Sequence, residues 1–185
     1  MKKIILATIV STIMSSAAIA APIDGGQGTV TFTGSIIEAA CGIAPESTDQ
    51  TVNLGQIASA QLSNNGTSRP VPFSIELVDC DLDTIVAGSD PAKNVSIATV
   101  TFTGGLNPAV PTNDGLAIQG AASGASVQIV GLNGLPVKLD GSEGTSINLQ
   151  NNDNSLLFSA FLKGDGTAVS TGEFTALANF TMTYE

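Results

Sequence analysis

Apolar and polar residues alternate with a period of two along much of this chain. In Thr29 to Ile37, Val30, Phe32, Gly34 and Ile36 fall on one side, and Thr29, Thr31, Thr33 and Ser35 on the other. Phe73 to Cys80 sets Phe73, Ile75, Leu77 and Asp79 against Ser74, Glu76, Val78 and Cys80. Val95 to Phe102 puts Val95 and Ile97 on one face and continues through Val100 and Phe102, with a slip near Ala98. Val127 to Val130, Leu135 to Leu139, Ile147 to Leu149 and Leu156 to Leu162 are shorter candidates. The longest alternation is Phe174 to Tyr184. It carries Phe174, Ala176, Ala178, Phe180, Met182 and Tyr184 on one face, and mainly Thr175, Asn179, Thr181 and Thr183 on the other. Successive side chains of a strand point to opposite faces, so each run predicts a half-buried strand. No helical period of useful length is present.

Turn signals separate these runs: Asn65-Gly66, Asp114-Gly115, Asn133-Gly134, Asp140-Gly141 and Asp165-Gly166. Such pairs tolerate the positive φ that tight hairpins need. Many short strands between turns predict an antiparallel sandwich or barrel. Ala21 to Gly28 differs. It is Gly-rich, has no packing face, and is expected to be mobile unless a partner orders it.

The first residues change the compartment. Met1-Lys2-Lys3 is basic, Ile4 to Met14 is mostly apolar, and Ser15 to Ala20 ends in an Ala-x-Ala cleavage pattern. This predicts a secretory signal peptide cut after Ala20. The apolar run is shorter than the ~20 residues of a membrane span. No cysteine follows it closely enough for a lipid anchor. Removing Lys2 and Lys3 leaves four basic against sixteen acidic side chains, so the full chain's net charge of −10 becomes −12. Nucleic acid is thereby excluded as a partner, because phosphate binding needs Lys and Arg.

Candidate chemistry is sparse. The chain has no histidine, which removes Ser-His-Asp and Cys-His catalysis and most zinc sites. Cys41 and Cys80 are the only cysteines, and in an oxidising compartment a single disulfide is the default. It closes a loop of about 40 residues, worth about 4 kcal/mol by the chain-entropy argument. Asp79, Asp81 and Asp83 form the best carboxylate cluster. They begin like a calcium loop, but Thr84 follows, the sixth position lacks glycine, and the twelfth is Asp90 rather than glutamate. A solvated acidic loop is the expectation, with no cofactor, no metal and no catalysis. Asn65-Gly66-Thr67, Asn94-Val95-Ser96 and Asn179-Phe180-Thr181 match the glycosylation pattern at the frequency chance gives, and carry no function.

The two ends of the chain carry a resemblance. Gly172 is the fourteenth residue from the C-terminus and Tyr184 is penultimate, with alternating apolar residues between. Near the other end, Gly28-Thr29-Val30-Thr31-Phe32-Thr33-Gly34 leads through Ile36-Ile37-Glu38-Ala39-Ala40 to Cys41, and Phe73 to Cys80 is a strand holding the second cysteine. Jointly these features resemble a major pilin subunit of bacterial chaperone–usher fimbriae, the type 1 and P pilus kind. The resemblance covers essentially all of residues 21–185.

It implies an all-β, incomplete immunoglobulin-like sandwich lacking its last strand and completed by a donor strand. It implies a signal peptide over 1–20, an N-terminal donor-strand extension over 21–37 and a pilin domain over 38–185. The donor face would be Val30, Phe32, Gly34 and Ile36. The acceptor groove and chaperone-binding strand would comprise Gly172, Phe174, Ala176, Ala178, Phe180, Met182, Tyr184 and Glu185, with the carboxylate of Glu185 gripped by basic residues of the chaperone. Implied partners are neighbouring copies of the chain, a periplasmic chaperone and an outer-membrane usher, on a route through the periplasm to a cell-surface fimbrium. Gly34 in mid-strand is explained by close backbone approach over a shallow pocket, or alternatively by a bulge.

Other readings are a minor or adaptor fimbrial subunit and a secreted carbohydrate-binding adhesin. Sugar sites often stack on aromatics, and this chain has no tryptophan and a single tyrosine in its terminal strand. The resemblance also implies that tip adhesins carry a separate lectin domain and lack a donor extension.

Overall fold

The computed structural model describes residues 25–83 and 95–185. The expected signal peptide, the first half of Ala21 to Gly28 (residues 21–24), and Thr84 and Asp90 lie outside the described residues. The polypeptide divides into two units, one ending at Ser35 and one spanning Ile36–Glu185.

In the first unit, residues 25–35 carry no regular secondary structure, and the absence of strand continues to residue 38. The strand expected over Thr29 to Ile37 is therefore not formed. A strand must pair its backbone N–H and C=O groups with a neighbour, and no described strand pairs with this segment. Val30 and Phe32 are exposed, Phe32 at 90 %.

Among its described residues the second unit holds ten strands in chain order: β1 (Gly42–Ile43), β2 (Val71–Cys80), β3 (Ile97–Gly104), β4 (Leu116–Ala117), β5 (Gln119–Gly120), β6 (Ala125–Val130), β7 (Asp140–Asn148), β8 (Asn152–Gly164), β9 (Phe174–Thr175) and β10 (Ala178–Tyr184). Among the described residues, helix is confined to the turns Pro45–Thr48 and Ser59–Leu62 and a 3-10 turn at Ser63–Asn65. One sheet runs β1-β2-β8-β6-β4 and a second runs β10-β3-β7, with β5 and β9 paired as a separate ribbon. All pairings are antiparallel.

The two sheets bury their alternating faces against each other. Ile75 and Leu77 of β2 and Leu156, Phe158, Ala160 and Leu162 of β8 share one core with Ala98, Val100 and Phe102 of β3. Phe102 meets Phe158 edge-on across the sandwich, centroids 5.1 Å apart and planes at 82°. Phe73 stacks on the same Phe158 at 5.6 Å. Pairs of this kind add about 0.5–1.5 kcal/mol beyond area burial.

Several strands differ from the pattern in informative ways. Cys80 was expected opposite Ile75 and Leu77, yet it is buried. Asp79 has φ of 52°, and the β2–β8 register shifts between Leu77 and Cys80. That bulge inserts one residue and swings Cys80 to the core side. In β3, Ala98, Val100 and Phe102 face inward in strict alternation, and the expected slip falls between buried Val95 and Ala98, at the start of the strand. Leu135 to Leu139 is not a strand, making only an isolated bridge from Pro136 to Val130; a proline removes the donor a ladder needs. Asp140-Gly141 does not turn a hairpin but opens β7, with Gly141 at φ 78° beside a register shift against β3.

Asp140 tethers that start. Its carboxylate accepts from the Ser142 hydroxyl (2.6 Å), the Ser142 N–H (2.9 Å) and the Asn113 amide (2.8 Å). Led by the Ser142 hydroxyl, these bonds lower its pKa to about 2. A depressed carboxyl contributes above its unfolded pKa of about 3.9 and is lost as pH falls through the folded value. The β7 start should thus loosen between about pH 4 and about pH 2, read by hydrogen exchange at the Ser142 amide.

β6 breaks alternation differently, being buried on both faces, with Ser126 at 0 % and Gln128 at 2 % exposure. Gln128 donates to Asp114 at 3.1 Å. The Ser126 hydroxyl has no hydrogen-bond partner among the described residues. An unsatisfied buried hydroxyl costs about 1–3 kcal/mol. Ser126→Ala is therefore expected to leave stability unchanged or raise it by about 1 kcal/mol, and a fall in thermal midpoint would contradict this.

Candidate functional site: an open sheet edge

β10 pairs with β3 along its whole length, from Ala178 opposite Gly104 to Tyr184 opposite Ala98. Its other edge has no partner among the described strands. A strand edge presents unpaired N–H and C=O groups, a template for another chain. The side chains repeat the asymmetry. Ala178, Phe180, Met182 and Tyr184 point to the core and pack against it, but all four stay half-exposed. Opposite the last three on β3, Phe102, Val100 and Ala98 are at most 3 % exposed. Phe180 reaches Phe102 at 6.4 Å, so its inner side is covered while its flank is not. Burial pushes the Tyr184 phenol above its ordinary pKa.

At the strand's end, a main-chain oxygen of Glu185 accepts from the N–H groups of Ser96 (2.9 Å) and Ile97 (3.0 Å), and the Glu185 N–H donates to Ile97 O at 2.9 Å. Sequence reasoning missed these ties, which involve backbone only and leave no side-chain signal.

The long C-terminal alternation is not one strand. Phe174–Thr175 forms β9 on β5, Ala176 and Leu177 are exposed, and only Ala178–Tyr184 lies in the β10-β3-β7 sheet. Period two survives a change of sheet, so pattern alone could not find the break. Gly172 sits just before it. A Cβ there would lie 2.7 Å from Ala121 Cβ and 2.8 Å from both the Ala121 carbonyl carbon and the Ala122 nitrogen. The same crossing is held by the N–H groups of Ala121 and Ala122, which donate to Glu173 O at 3.0 and 3.2 Å. Gly172→Val would push two backbones apart and is expected to cost about 1–3 kcal/mol, as overpacking does. Denaturation midpoints of the purified subunit check it, and an unchanged midpoint would refute the close crossing.

Cys41 and Cys80 are joined in a disulfide with Cα atoms 4.1 Å apart, linking residues 39 apart in sequence at the edge of the β1-β2 pair. On the N-terminal side, Ile36 and Ile37 are exposed, Ile36 fully. A Cβ at Gly34 would meet nothing within 4 Å. Gly34 is in no strand and hence in no bulge.

The acidic triad forms no metal centre among the described residues. The Asp83 N–H donates to the Asp81 carboxylate at 3.2 Å, and the Asp79 N–H to Asp153 at 3.4 Å. A pocket of about 150 Å³ is lined partly by Asn107, Ile118, Ser123 and Asp165. There the Asn107 amide donates to Asp165 at 3.0 Å and to Ala125 O at 3.3 Å. Its polar groups already bond one another.

Comparison with known proteins agrees with this geometry. The family described as fimbrial protein matches residues 30–185. The chain is 45 % identical over 187 residues to the Fimbria A protein of Serratia marcescens, covering 100 % of this chain and 99 % of that one. Among solved structures, a chaperone-usher pilus gives a TM-score of 0.76 at 36 % identity, covering 90 % of this chain and 100 % of that one. The P pilus rod subunit PapA gives 0.70 at 33 %, covering 80 % and 100 %. The protein therefore belongs to the fimbrial protein family, as a structural, non-enzymatic pilus-shaft subunit with an incomplete immunoglobulin-like sandwich.

Proposed function

We propose that this subunit polymerises by lending its N-terminal segment to the next copy. Residues 21–37 act as the donor extension and residues 38–185 as the pilin domain, after loss of residues 1–20 as a signal peptide. Val30, Phe32, Gly34 and Ile36 enter a groove beside β10, over Ala178, Phe180, Met182 and Tyr184. Gly172, Phe174 and Ala176 shape its approach, and Glu185 closes the strand. The observation that carries this reading is the half-exposed apolar face of β10 at an unpaired edge. A missing strand would leave that signature, and an extended peptide can supply the missing ladder. The exposed alternation of Val30 and Phe32 supports the donor role. Donor and groove are different surfaces, so the contact is heterologous and extends into a filament instead of closing.

Before assembly, an open apolar edge invites aggregation. A periplasmic chaperone holds it, engaging the Glu185 carboxylate by an oxygen that Ser96 and Ile97 leave accessible. An outer-membrane usher then passes the subunit to the cell surface. Electron microscopy of cells with and without the gene tests the shaft role. Loss of filaments is expected; shortened or non-adhesive filaments would replace it with a minor-subunit role.

A further inference from the structure

The outward face of the β10-β3-β7 sheet is a lattice of hydroxyl side chains. Thr183 lies opposite Thr99, and Thr181 opposite Thr101, while Asn179 lies opposite Thr103. On the far side, Thr99 lies opposite Ser146, and their hydroxyls are bonded at 3.0 Å. The lattice is thus closed by a hydroxyl pair on the β7 side. It stops at β10, where Thr181 and Thr183 are exposed and their hydroxyls have no hydrogen-bond partner among the described residues. Elsewhere in the chain the same chemistry stands unused. Thr29, Thr31, Thr33 and Ser35 form the polar face of the extension, are exposed, and have no partner among the described residues.

We infer that the threonines of one copy's extension pair across strands with Thr181 and Thr183 of the next copy, continuing the hydroxyl lattice over the joint. This rests on the donor-strand reading above. Alternation compels the geometry: if Val30, Phe32 and Ile36 face the groove, Thr29, Thr31 and Thr33 face outward, on the side where β10 presents Thr181 and Thr183. Adjacent strands lie about 4.8 Å apart, and directly opposed Cβ atoms about 4.5–5.5 Å apart. Threonine pairs at that distance hydrogen-bond and pack their methyl groups. The apolar face gives the joint its affinity. A one-residue slip would turn threonines inward and phenylalanine outward, whereas a two-residue slip keeps the faces right. With three threonines in succession on the extension's outward face, a two-residue slip still opposes Thr181 and Thr183 with threonines, so the lattice continues in either register.

The test is a double-mutant cycle on full-length subunits assembled into filaments. One set is Thr29→Ala, Thr31→Ala and Thr33→Ala together; the other is Thr181→Ala with Thr183→Ala; the third combines both. Each set alone should speed filament dissociation in denaturant by roughly tenfold, and the combination by little more than either alone. Thr181→Ser with Thr183→Ser, which keeps the hydroxyls, should restore most of the rate even if the alanine set folds poorly. Fully multiplicative effects, or no effect from either set, would overturn the pairing. Phe32→Asp run in parallel separates the two ideas. If Phe32→Asp subunits polymerise normally, the donor-strand reading itself fails. If they do not, and the threonine effects multiply, only the pairing fails.

Discussion

Subunits carrying Gly34→Asn are expected to fold normally and fail to polymerise. A Cβ at Gly34 meets nothing within 4 Å in the subunit itself, so the exchange should shift stability by no more than about 0.5 kcal/mol, as for an ordinary surface change. A glycine amid alternating apolar residues weakens a strand, and nothing in the subunit's own fold calls for it. In a neighbour's groove, the added amide would be buried against apolar side chains without a partner, at about 1–3 kcal/mol, besides the steric clash. The readout pairs thermal melting of the monomer with electron microscopy and gel analysis of polymers. A normal melting curve with no filaments is the expected result; normal filaments would remove Gly34 from the donor face.

Replacing Cys41 and Cys80 with serine should lower subunit stability by about 3–4 kcal/mol, the entropy a loop of this length returns to the unfolded chain. The removed bond also leaves two serine hydroxyls at positions that are 2 % and 5 % exposed, which raises the cost further. The effect is large against a typical stability of about 5–15 kcal/mol, and larger in consequence for a sandwich that leaves one core face half-open. Equal melting temperatures for oxidised and reduced protein would count against it. Lower periplasmic yield is the expected consequence in cells.

The parts of the fold legible in the sequence were those where one face is core and the other water. β3 and β10 follow period two because each has a buried side and a polar side, and β2 does so up to its bulge; β8 buries every second residue but carries Leu157 and Phe161 on its other side. Where that condition fails, so did the reading. β6 is covered on both faces and hides Ser126 and Gln128. β7 is an exposed edge with almost no apolar signal over Asp140 to Thr145. Leu135 to Leu139 has buried Val137 and Leu139 yet no ladder, because apolar alternation reports burial and not backbone pairing. Cys80 faces the core only through the bulge at Asp79, which inverts parity without altering composition. The open edge was legible only through resemblance. Phe180 and Met182 look the same in sequence whether their strand has one neighbour or two. The structure adds what sequence could not hold: the crossing at Gly172, the backbone ties at Glu185, and the contrast in burial between β10 and β3.

The disulfide also decides where a mechanical load would enter the body. Cys41 comes immediately before β1, the first strand of the second unit. β1 alone would be a poor anchor, since its two residues pair only with Val78 and Leu77. Under a pull from the N-terminal side, so short a ladder would peel one rung at a time. The bond to Cys80 intervenes first and hands the force to the end of β2, a ten-residue strand lying between β1 and β8. β2 is laddered to β8 from Val71 to Leu77, so the load then meets a far longer set of hydrogen bonds than β1 offers. If residues 21–37 link copies as proposed, the same covalent bond that stabilises the lone subunit also reinforces the point where that link enters the body.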